Sequence, residues 1–130
     1  MKKVKPQHFI IDTAQFNQNC LVCINYKSPQ VLKAYKSFLD TDPLPQSMLD
    51  IIDSKKPGTG LFLYHSSPNH RIILLFPQNK TQAFLLFDHE KLHALHHLMT
   101  HIGMKLNNHT EEAYAYTSAY MLKQFMNLLK

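Results

Sequence analysis

Apolar and polar positions fall into short blocks, and most blocks name one element. Residues 8–12 (His-Phe-Ile-Ile-Asp) and 20–26 (Cys-Leu-Val-Cys-Ile-Asn-Tyr) are rich in β-branched and aromatic side chains and flank a polar stretch at 13–19, which predicts two strands. Ser28-Pro29 opens a helix to about Leu39, with serine as cap and proline at a position where its missing N–H costs nothing. The cluster at 40–43 ends that helix. A shorter one at 45–53 has Leu49, Ile51 and Ile52 to bury, and the Pro-Gly-rich run at 54–60 breaks it. Two apolar runs, 61–65 and 71–76, flank a turn at 66–70 and read as a hairpin.

Beyond the hairpin the period lengthens. Thr81 suits the cap of a helix running through Phe84, Leu85, Leu92, Leu95 and Leu98 to Gly103, a residue fitted to a left-handed stop. Periodicity over 82–87 fits a strand equally well. Asn108 followed by Glu111 has the spacing of a capping box and starts a last helix from 111 to about 129. Strands from the first half and two long helices from the second predict one α+β domain over residues 1–130, a small antiparallel sheet packed against the last two helices.

Composition agrees with a single self-sufficient core. With 130 residues, 45% hydrophobic and 18% charged, the chain is neither a disordered tail nor two domains. No apolar run reaches the roughly 18 residues of a membrane span, and the N-terminus lacks a signal-peptide stretch, so an intracellular protein without membrane partners is expected. The net charge of +5 invites a polyanion partner, but Arg71 is the single arginine among fourteen basic residues. Base and phosphate recognition leans on arginine forks, so solubility explains the charge better than nucleic acid. Cys20 and Cys23, three apart on a strand, point to opposite faces and read as buried thiols.

Histidine changes the picture. Five of nine, His89, His93, His96, His97 and His101, fall within thirteen residues. His89-Glu90-Lys91-Leu92-His93 is an H-E-x-x-H pattern, met by chance in roughly 1% of shuffled chains of this composition. On a helix the two histidines stand about 40° apart on one face and about 6 Å apart along the axis, so both imidazoles can reach one zinc ion. Glu90, about 100° round from His89, suits a general base acting on water at the metal better than a ligand. His97 is about 12 Å from His89 along a straight helix and cannot share the ion. A catalytic zinc takes three protein ligands, and the long form of the motif would need Gly at 96 and His at 99, where this chain has His96 and Met99. The third ligand therefore comes from another segment: Glu112, Glu111 or His109, all at or near the start of the next helix.

His89-Glu-x-x-His93-Ala94, Gly103 and Asn108-x-x-Glu-Glu112-x-x-Ala115-Tyr116-x-x-x-Tyr120 together resemble the small H-E-x-x-H zincin-like metallopeptidases of bacteriophages and mobile elements, over residues 81 to about 122. The resemblance implies a minimal zincin-like fold with zinc as cofactor, held by His89, His93 and Glu112. It implies Glu90 as general base and Tyr116 as a donor to the developing oxyanion or to Glu112. Tyr116 also suits plain packing with Tyr120 and Phe125. The expected function is zinc-dependent hydrolysis of a peptide or protein substrate, with the strand at 71–76 bordering the cleft and pairing with an extended chain. The alternatives are a non-enzymatic zinc-binding phage structural or host-interaction protein and a basic polyanion-binding module.

Overall fold

The computed structural model describes residues 2–13, 16, 18–39, 44–65 and 71–130. The expected helix stop at 40–43 and the turn at 66–70 lie outside the described residues. The fold is α+β, in the order β1 (Gln7–Asp12), β2 (Asn19–Ile24), α1 (Ser28–Leu39), α2 (Gln46–Asp53), β3 (Leu61–His65), β4 (Arg71–Phe76), α3 (Lys80–His101) and α4 (Glu111–Leu128). No helix among the described residues is long and apolar enough to cross a membrane.

The sheet runs β1-β2-β4-β3. β1 pairs antiparallel with β2 and β3 antiparallel with β4, but β2 and β4 are parallel, with Val22 opposite Leu74. The sheet is thus mixed, which corrects the antiparallel expectation. The reason lies in the central strands: from Cys20 to Ile24 and from Ile72 to Phe76 every residue is buried, as befits strands covered on both faces. The two helices and β3 between them supply the long connection that a parallel pair demands.

Both faces are indeed covered. Cys20, Val22, Ile24, Ile72, Leu74 and Phe76 point to one side, where they meet Phe87, Leu95, Leu98, Met121 and Phe125 of α3 and α4. Leu21, Cys23, Ile73 and Leu75 point to the other, against Val31, Tyr35 and Ile52 of α1 and α2. A second helical layer therefore joins the one expected from the sequence. The cysteines are free, one on each face, and burial pushes the Cys20 thiol up to about 12 and Cys23 higher still.

Local chemistry fixes the joins. The Asp53 carboxylate, at the end of α2, accepts the Ser28 backbone N–H at 3.0 Å and its hydroxyl at 2.7 Å, so the acid of one helix caps the start of the other. His65, nearly buried, pairs through Nδ1 with the Tyr35 hydroxyl at 2.8 Å and ties β3 to α1.

Candidate metal centre

The histidines ride on α3, which follows β4 after a turn of three residues. Asn79, rather than Thr81, caps it: its side chain accepts the Gln82 N–H at 3.0 Å while its backbone stays extended. Residues 82–87 continue the helix. At the far end Gly103 takes φ +75°, with Met104 N–H donating to Met99 C=O and Gly103 N–H to Thr100 C=O, the paired bonds of a Schellman stop. The capping box at Asn108 does not form. Thr110 occupies the cap of α4, but its hydroxyl donates to the Lys105 carbonyl and caps no N–H of α4, and Asn107 Oδ1 accepts from His109 and Thr110 N–H.

On α3 the H-E-x-x-H side chains converge. His89 Nε2 and His93 Nε2 stand 3.3 Å apart, their rings 75° to one another. Two ligand nitrogens about 2.0–2.1 Å from a tetrahedral zinc are separated by about 3.3–3.4 Å, so the pair already spans one edge of the zinc tetrahedron. Glu90 Oε1 lies 4.0 Å from His89 Nε2, and the three ligand atoms fall within 4.8 Å of one another. The residues fit a metal ion of this class.

The three differ in exposure. The His89 side chain is 65% exposed and that of Glu90 only 11%. Glu90 is turned under the helix toward Gly60, the residue before β3, where a Cβ would come within 3.0 Å of Glu90 Cγ and 3.5 Å of its Oε1. Phe62 of β3 packs its ring 6.1 Å from that of His93 and 5.9 Å from that of His97, and Tyr64 presses on His97 at 3.7 Å. The centre is therefore built from α3 and β3. The sequence places Gly60 in a helix-breaking run and Phe62 in a strand but neither at the site, although Pro-Gly-Thr-Gly directly before a strand is the composition of a close backbone approach.

The second helix lies elsewhere. Phe84 and Phe87 pack on Phe125 of α4 at 5.5 and 4.1 Å. Phe84 and His93 are nine residues apart, about 900° of helix rotation, and so emerge from opposite sides of α3. β3 takes the His93 side and α4 the other. Glu112, exposed in the first turn of α4, does not join the group. Among the described residues the gathered donors are His89, Glu90 and His93. Glu111 and His109 are exposed near the same turn. Tyr116 is exposed on α4 with its ring stacked on Tyr120, whose hydroxyl donates to Asp12 at 3.3 Å. The structure thus brings together the motif and leaves the residues of α4 apart from it.

β4, expected to border the cleft, is interior and paired on both sides; the outer strand beside α3 is β3. Compared with protein-family models, curated proteins and solved structures, the chain matches none.

Proposed function

We propose that the chain is a zinc-dependent hydrolase acting on a peptide or related amide, with His89 and His93 holding the ion and Glu90 moving the proton. The observation that carries this reading is the 3.3 Å between the two Nε2 atoms, the edge length of a zinc tetrahedron presented by residues one helical turn apart. A zinc ion there supplies Lewis acidity for a water and for a carbonyl oxygen near neutral pH. Glu90, largely buried and held beneath the pair, accepts the proton of the attacking water at its carboxylate and returns it to the leaving amine.

Exposure supports catalysis over a purely structural metal. Structural zinc sites are closed by four protein ligands, whereas His89 and His93 on a solvent-facing stripe supply two of the three that a catalytic zinc takes and leave coordination positions for water and substrate. β3, an outer strand of the sheet among the described residues, runs beside the histidine pair, which suits an extended peptide chain.

The test pairs metal content with turnover. Zinc retained after dialysis is measured by plasma mass spectrometry for wild type, His93→Ala and Glu90→Gln, and hydrolysis is followed on a quenched peptide library. Zinc lost in His93→Ala and kept in Glu90→Gln, with cleavage lost in both, is the expected result. Absence of zinc from the wild type, or undiminished cleavage by Glu90→Gln, overturns the reading.

A further inference from the structure

We infer that a second copy of this chain closes the metal centre, two histidines from each copy making a four-nitrogen zinc site on a twofold axis. The inference rests on the metal reading above and concerns the regulation of that same site. A tetrahedron has a twofold axis through the midpoints of opposite edges. His89 and His93 supply one such edge, at 3.3 Å, and among the described residues no histidine, cysteine or further carboxylate supplies the other. The same two nitrogens of a symmetry-related chain complete it, and an isologous contact is the commonest way in which identical chains associate.

The surroundings favour that occupant. Leu85, His89, Leu92 and His96 follow one another at spacings of four, three and four residues and so form one stripe along α3. Leu85 is 70% and Leu92 47% exposed, large apolar side chains on either side of His89 along the stripe. These four positions carry no lysine, arginine, aspartate or glutamate, in a chain whose formal net charge is +5. The exposed Asp88 beside Leu92 is paired with Lys91 of its own helix at 2.8 Å, so the face carries no uncompensated positive charge, and there two copies of a basic protein meet at low electrostatic cost. Zinc supplies the attraction and the leucines exclude water around it.

Closure has a functional consequence. With four nitrogens bound the ion has no position left for water or substrate, so the paired form is latent and the single chain is the open one. Dilution or excess zinc, giving each chain its own ion, opens the site.

The experiment is a zinc titration of the full-length chain at fixed concentration, with mass followed by light scattering or sedimentation. The wild type is expected to reach twice its 15.1 kDa at one zinc per two chains, then return toward 15.1 kDa as zinc approaches one per chain. Leu92→Lys, which keeps both ligands, is expected to bind one zinc per chain and stay at 15.1 kDa; His93→Ala is expected to do neither. A wild type that fills to one zinc per chain without passing through the doubled mass at one zinc per two chains overturns the inference and leaves the metal reading standing. A dimer that persists in chelator or in His93→Ala overturns it too. A wild type that binds no zinc removes the metal reading itself.

Discussion

Gly60 lies so close to Glu90 that a methyl group there would be tight: a Cβ on Gly60 would lie 3.0 Å from Glu90 Cγ and 3.4 Å from Leu86 Cβ, so one of the two side chains would have to give by a few tenths of an ångström. The absence of that carbon lets the carboxylate rest against the start of β3. Gly60→Ala is expected to push Glu90 outward and to cost about 1–2 kcal/mol of stability, as overpacking of a tight contact does. Urea denaturation of Gly60→Ala, Glu90→Ala and the double variant provides the check. Coupling of the two changes, with the double variant more stable than the sum of the singles, is the expected outcome, and strict additivity would refute the contact.

The separation of α4 from the histidine pair makes a prediction about Glu112. Because α4 flanks α3 on the Phe84 side and β3 flanks it on the His93 side, Glu112→Gln is expected to change zinc affinity by less than about twofold. His93→Ala, by contrast, is expected to abolish it. Competition against a chromophoric chelator measures both, and a tenfold or greater loss in Glu112→Gln would place that carboxylate on the metal.

Phe125 is the pin between the helices and the sheet. Its ring stacks on Phe87 at 4.1 Å and meets Phe9, Phe76 and Phe84 edge-on, within a fully buried environment. Phe125→Ala is expected to cost about 3–5 kcal/mol, read from the guanidinium midpoint. A loss below about 1 kcal/mol would mean that the aromatic cluster is not close-packed.

Asp53 carries a pH-dependent tether. Hydrogen bonds from the Ser28 hydroxyl and N–H favour the carboxylate and lower its pKa below 3.8. A group whose folded pKa is depressed stabilises the fold above its unfolded pKa and loses that contribution as pH falls through the folded value. Asp53→Ala is therefore expected to lower Tm at neutral pH, with the gap from wild type closing below about pH 4. A gap that widens on acidification would contradict the assignment.

Much of this was legible from local pattern. The hairpin strands at 61–65 and 71–76 coincide with β3 and β4, and Gly103 stops α3 where its conformational freedom suggests. The motif itself was readable because four residues on a helix bring His89 and His93 to one face with no help from the rest of the chain. What escaped is non-local. The alternation Cys20-Leu21-Val22-Cys23-Ile24 is apolar on both faces, a pattern compatible with burial between two helical layers, yet it does not say which strand lies beside it. The connection 102–110 brings α4 back along α3 without revealing on which flank, so the position of Glu112 depended on Phe125 finding Phe84 and Phe87. Gly60 was read as a breaker because its partner is thirty residues away.

The parallel pairing of β2 with β4 sets an order of assembly. It closes an excursion of roughly 45 residues, a slow event beside the sub-microsecond growth of a helix. The histidine pair needs nothing but α3, while the wall that holds Glu90 needs β3 seated on β4. The pair can therefore form on the timescale of a helix, before the sheet that positions Glu90 is complete. On the metal reading proposed above, an ion captured at that stage would take part in the folding of its own site.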